Sequence, residues 1–166
     1  MYLETIILIH TVLFSRIIAF PNLAANGTAI LSSVYLNDNN RYGAWKVIDG
    51  NRNQVFNDGS CCHSDEYQSS AWWRLDLGYS AYIHRVVIYY RGDRPDRLKG
   101  YHLYISNSFK EINPNSGHEC FHYPVSTNNP SIIQNKTCDW TGRYIVYYNK
   151  REDFKAFVEL CEVEVF

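Results

Sequence analysis

The chain has 166 residues, 46% of them hydrophobic and 16% aromatic, and a formal net charge of -1. That length allows one domain with a substantial core. The near-zero charge supplies no broad field for nucleic acid or for an anionic membrane surface. The 14 tyrosines and 8 phenylalanines favour strands over helices.

Ile6 to Phe14 is an apolar run of signal-peptide length, too short to span a bilayer. It is preceded by Glu4 rather than by a basic residue, and Arg16 follows it. The reading is a secretory signal over residues 1–21, cleaved somewhere within 16–25, with an uncleaved anchor as the alternative. The domain then covers 22–166, with no membrane insertion of the mature part. Two sequons, Asn26-Gly27-Thr28 and Asn135-Lys136-Thr137, are compatible with export.

Beyond residue 25 no segment has sustained helical periodicity. Ala29 to Leu36 is a first candidate strand, followed by the polar loop Asn37-Asp38-Asn39-Asn40. Ala71-Trp72-Trp73-Arg74-Leu75-Asp76-Leu77-Gly78 reads as a strand covered on both faces, with at least one tryptophan in the core. Ala81 to Tyr90 is rich in β-branched and aromatic residues, and Tyr101 to Ser106 alternates. Arg143 to Tyr148 follows Gly142. Val158 to Phe166 ends in Glu162-Val163-Glu164-Val165, the alternation of a half-buried strand. Many short strands separated by polar turns, such as Asn113 to Gly117, predict an all-β sandwich or jelly roll.

Three groups of residues carry chemistry. Asp49, Asn51 and Ser60 offer hard oxygens around Gly50, which suits either calcium or a turn closed by Asx hydrogen bonds. Five cysteines include Cys61-Cys62-His63 and the segment His118-Glu119-Cys120-Phe121-His122. Neither spacing matches a common zinc pattern, and a secretory start favours two disulfides with one thiol left over. The third group is His63 with Arg91-Gly92-Asp93-Arg94-Pro95-Asp96-Arg97. No nucleophile motif or paired-carboxylate site accompanies it, so catalysis is not expected. Arginines are poor bases but good fixed donors toward sugar hydroxyls. Arg91-Gly92-Asp93 is also an integrin-type tripeptide, which requires an exposed loop tip.

These segments resemble, in order, the signature of the F-type lectin (fucolectin/tachylectin-4/pentraxin-1) family. The matching stretches are Val47-Ile48-Asp49-Gly50-Asn51, Gly59-Ser60-Cys61 with His63, Trp72 to Leu77, Gly142-Arg143-Tyr144 and Leu160 to Val165. The resemblance runs from about Asn22 to Phe166. It implies a galactose-binding-domain-like β-sandwich jelly roll with sugar-binding loops at one end, and a secreted, non-enzymatic, calcium-dependent lectin of innate recognition. Fucosylated glycans are the implied ligands and nucleic acid is not; the number of copies in an assembly stays open. The alternative is an adhesion or recognition module of lectin fold that has lost fucose binding.

The resemblance also assigns residues. Calcium would be held by the carbonyls of Lys46 and Cys161 and the side chains of Asp49, Asn51, Ser60 and Glu162. The disulfides would be Cys61–Cys161 and Cys120–Cys138, leaving Cys62 as the odd thiol. His63, Arg91 and Arg97 would read the sugar, with a neutral imidazole accepting from a hydroxyl. Asp93 would orient an arginine, and Phe56 would cover the methyl group of fucose. The family motif places 26 residues between its His and Arg and four between its Asp and second cation; here the intervals are 27 and three. The extra residue lies in the Ser64–Ser70 loop, where strands need not move. Lys99 is the other choice of second cation.

Overall fold

The structure is a computed structural model that describes residues 20–108, 117–126 and 128–166. The expected signal segment falls almost wholly outside the described residues, as does most of the Asn113–Gly117 turn. The strands are β1 (Thr28–Leu31), β2 (Ser70–Tyr90), β3 (Tyr101–Ser106), β4 (His118–His122), β5 (Ile133–Lys150) and β6 (Leu160–Val165). Their order is β1-β2-β5-β3-β4, with β6 also on β2.

All pairings are antiparallel, and β2 and β5 run side by side for most of their length. Their register shifts between Asp76 and Ala81. Before the shift β2 carries β1 on its other edge, and after it β6 takes that edge. β3 pairs only with the later half of β5. The long ladder therefore folds over at the shift into two facing layers, a jelly-roll sandwich. The bend in β5 needs glycine: a Cβ on Gly142 would lie 2.4 Å from Ile105 Cγ2. Trp73, Leu75, Ile83, Ile88, Leu103 and Val163 meet between the layers in one buried cluster. Each such side chain contributes roughly 1.5–3 kcal/mol by leaving water.

Helix is confined to short turns among the described residues, the longest α-helical one being Asn39–Tyr42. It begins because the Asp38 side chain accepts from Arg41 N at 3.1 Å.

Two expectations are corrected. The Ala29–Leu36 strand is only Thr28–Leu31, because the chain turns at Leu36, which has φ of 55°. The Glu-Val-Glu-Val alternation does not mark a half-exposed strand, since all six residues of β6 are buried. Glu162 accepts from Gly50 N at 3.2 Å, and Glu164 is paired with Arg52, so both acids are covered by the 50–52 turn. Of the two tryptophans, Trp73 is fully buried and Trp72 half-buried.

The cysteines join as Cys61–Cys161 and Cys120–Cys138. The first ties the 49–60 loop to β6. The second ties β4 of one layer to the early half of β5 in the other. Cys62 is free and buried, and burial pushes its thiol up to about 12. Asn26 and Asn135, the two sequon asparagines, are exposed.

Candidate functional site

At one end of the sandwich the chain enters β6 through Phe157-Val158-Glu159. Backbone bonds run from Cys62 N to Leu160 O and from Ser64 N to Val158 O, at 2.8 and 3.0 Å. They lay residues 62–64 alongside Glu159 and aim His63 at it. Arg91 directly follows β2, and its N–H donates to Glu159 O at 3.1 Å. Arg97 lies in the 3-10 turn Pro95–Leu98. Asn149 holds that turn by donating from Nδ2 to Arg97 O at 3.1 Å and to Phe157 O at 3.2 Å.

The centre of this end is Glu159, which is fully buried. Its Oε1 accepts from Arg91 Nη1 at 2.7 Å and from Arg97 Nη1 at 2.6 Å, and lies 2.8 Å from His63 Nε2. Its Oε2 accepts from Tyr90 Oη at 3.1 Å. Burial alone would raise this carboxyl, but the hydrogen bond from His63 and the charges of His63, Arg91 and Arg97 hold it below its usual range. Burial and the Glu159 charge push the Tyr90 phenol well up.

The guanidinium faces are covered as well. Arg91 lies 3.7 Å from the Phe56 ring centroid, and Arg97 lies 4.0 Å from that of Phe157. Asp93 accepts from Arg91 Nε and Nη2 at 2.8 and 2.7 Å, which lowers its own carboxyl. Arg91 is therefore a buried, fork-paired residue, and the Arg91-Gly92-Asp93 tripeptide is not offered at a loop tip. The Ser64–Ser70 loop is pinned by a bridge between Gln68 and Ala156, and it brings Glu66 to 3.8 Å from Arg97.

His63, Arg91, Asp93, Arg97 and Phe56 thus come together. The ring nitrogens of His63 face Glu159 Oε1 and Ser64 O, so the imidazole meets protein oxygens on both sides. Lys99 does not join this cluster; only its carbonyl takes part nearby, accepting from Arg151 Nη1 at 3.4 Å. Outside the cluster a cleft of about 340 Å³ opens beside Arg97, lined by Glu66, Tyr67, Arg94, Arg97 and Phe157 among others. Arg97 Nε is buried without a hydrogen-bond partner among the described residues.

Sequence reasoning missed Glu159, Tyr90, Asn149 and Phe157. The usable signal was a single acid in the apolar run Ala156-Phe157-Val158-Glu159-Leu160-Cys161. A lone carboxylate there needs a buried cation.

The 49–60 loop packs on β6 close by. Gly50 turns with φ of 83°, a conformation that suits glycine. Asp49, Asn51 and Asn53 each accept the backbone N–H two residues on, at 2.9, 3.1 and 2.9 Å. The Asx turns weighed for this loop are therefore present. Ser60 Oγ donates to Asn53 O at 2.6 Å, and Lys46 Nζ donates to Gly59 O at 2.7 Å. Glu162 Oε1 is buried with no hydrogen-bond partner among the described residues. Burial, with repulsion from Asp49 and Glu164, raises the Glu162 carboxyl to about 8. An orphaned carboxyl oxygen in a group repelled by two neighbouring acids fits a hard cation.

The sandwich with convergent donors at its loop end defines a binding module of the galactose-binding class. A family model described as a NedA-like, galactose-binding domain matches residues 46–146. The chain is 32% identical over 146 residues to the pentraxin fusion protein of Xenopus laevis, covering 87% of this chain and 33% of that protein. It is 33% identical over 123 residues to fucolectin of Anguilla anguilla, covering 74% of this chain and 75% of that protein. The crystal structure of an F-lectin (fucolectin) from Morone saxatilis serum superposes with a TM-score of 0.74 at 33% identity, over 87% of this chain and 47% of that one. The lectin domain of lectinolysin, complexed with Lewis b antigen, gives a TM-score of 0.71 at 25% identity, over 88% and 96% of the two chains. The chain spans 33% and 61% of the first two curated relatives it matches. It belongs to the F-type lectin (fucolectin) family, whose members are carbohydrate-binding modules rather than enzymes.

Proposed function

We propose that this chain is a secreted lectin domain that binds fucosylated glycans at the Arg97 cleft. The observation that carries the reading is that Arg97, held in place by Glu159, lines the adjoining cleft. A cleft of about 340 Å³ lies within the size range of small-ligand sites. Glu159 holds the two arginines in fixed positions, so a sugar meets pre-aimed donors without first ordering them. The positive charges of Arg91 and Arg97 are largely offset by Glu159, Asp93 and Glu66, which suits an uncharged ligand. The ligand class comes from relatives named fucolectins and from the lectin domain bound to Lewis b. Two disulfides and a relative from serum support an extracellular setting.

We further propose that calcium binds at Asp49, Asn51, Ser60 and Glu162, with the carbonyls of Lys46 and Cys161. Bound there, the ion would supply positive charge to the orphaned Glu162 oxygen and tie the loop to β6. The chemistry it contributes is structural.

One observation favours a second reading. Glu159 already engages His63, Arg91 and Arg97, so a neutral hydroxyl competes with a full negative charge. Under that reading the chain is a recognition module of lectin fold without fucose affinity. A glycan array probed with the disulfide-bonded protein separates the two: fucosylated spots light up under the first reading and stay dark under the second.

A further inference from the structure

The segment His118-Glu119-Cys120-Phe121-His122 has no place in the sugar or calcium sites. In a regular strand Glu119 and His122, three residues apart, point to opposite faces. Here they do not. Leu103 pairs with Phe121 and Tyr104 pairs with Glu119, so Cys120 is an extra residue on β4. Such a bulge re-aims the side chains that follow it. The disulfide to Cys138 anchors the bulge.

The result is a compact donor set on the β3–β4 hairpin. His102 and His122 are cross-strand partners whose rings stack with centroids 3.9 Å apart and planes 5° apart. Glu119 Oε1 lies 3.3 Å from His102 Nδ1. Tyr104 Oη donates to Glu119 Oε2 at 3.3 Å and so orients the carboxylate from behind. One ligand atom from each of His102, Glu119 and His122 lies within 4.8 Å of the others. A tetrahedral ion with ligands at ~2.1 Å needs them ~3.4 Å apart, which requires the two stacked imidazole rings to tilt apart so that their in-plane lone pairs converge.

We propose that His102, Glu119 and His122 form a binding site for a divalent transition-metal ion of the zinc type. Two imidazoles and one carboxylate are ligands such an ion takes, and calcium, which prefers oxygens alone, does not suit them. Lys150 opposes a cation here, and the charge of Glu119 offsets it. The coordination is open on one side. A cleft of about 460 Å³ borders His102 and His122 and leaves room for water or an outside ligand. Arg151 and Asp153 line both this cleft and the Arg97 cleft, so an ion here would sit beside the proposed sugar surface.

The test is titration of Zn²⁺ into the calcium-loaded full chain, followed by calorimetry. One ion per chain is expected. His122→Gln and Glu119→Gln should each weaken binding by about 10-fold or more, and Tyr104→Phe, which removes only the orienting hydroxyl, by about 10-fold. His84→Gln, at an exposed histidine elsewhere, should change nothing. Absence of Zn²⁺ binding at ~100 μM, two orders weaker than a micromolar site, would overturn the proposal. So would full retention of binding in His102→Gln/His122→Gln, or its loss in Asp49→Ala, which would assign the ion to the calcium ligands.

Discussion

His63 Nε2 lies 2.8 Å from Glu159 Oε1, the oxygen that also receives a guanidinium N–H from each of Arg91 and Arg97. The residues assigned to sugar reading are thus organised around an internal anion before any ligand arrives. This changes how substitutions at the site should behave.

Glu159→Gln keeps the shape and removes the charge. Two buried guanidinium groups and His63 then lose their shared counter-charge. Breaking a buried ion pair from one side costs about 3–5 kcal/mol, and urea unfolding should show a loss of that order. A loss below ~1 kcal/mol, the level of an exposed pair, would mean that the cluster relaxes into water. Arg91→Ala should destabilise for the same reason. Arg97, at the cleft edge with 14% of its side chain exposed, is the cleaner probe of binding.

Calcium should raise the melting temperature. An ion present at 100 times its Kd stabilises the native state by about 2.7 kcal/mol. Asp49→Ala should abolish most of the gain, and Glu162→Gln should reduce it. Superimposable melting curves in calcium and in chelator, with metal-stripped protein, would remove the calcium claim.

Cys62 should resist alkylation in the native state near pH ~8, because the thiolate is the reactive form and burial suppresses it. Mass spectrometry after iodoacetamide should find Cys62 modified only once urea unfolds the chain. Rapid labelling of the folded protein would contradict its placement behind β6.

The fold was legible where period and composition act locally. Tyr101–Ser106 was delimited as the structure has it, and both halves of β2 were read as strands. Their union into one bent strand was not, since the register shift at Asp76 depends on β5, whose Arg143 lies 67 residues away in sequence. The alternation in β6 misled because Arg52 and Gly50 cover Glu164 and Glu162 from 112 residues away. Glu159 was invisible for the same reason. Its partners Arg91 and Arg97 lie 68 and 62 residues upstream, and a single acid makes no pattern. The resemblance implied a set of site residues, but only the structure could show that both ring nitrogens of His63 face protein oxygens.

Acid should weaken the strand pairing at the bend. Arg143 donates to Asp76 from Nε and Nη2 at 2.7 and 2.9 Å, and these bonds hold the Asp76 carboxyl below its usual range. A carboxyl lowered on folding stabilises fully above its unfolded pKa of about 3.9 and loses that contribution as pH falls through the folded value. Asp76→Asn should therefore be less stable than wild type near pH ~6, with the gap closing below pH ~3. Urea midpoints that differ by the same amount at both pH values would contradict the assignment.

The most direct test of the central claim is an L-fucose titration of the calcium-loaded, disulfide-bonded chain, run beside Arg97→Ala. The account predicts saturable binding by wild type and a loss of about 10-fold or more in the variant, as removal of one charge-assisted hydrogen bond of about 1.5–3 kcal/mol requires. The variant should retain its fold by circular dichroism. No response from wild type, or equal binding by a folded Arg97→Ala, would contradict it.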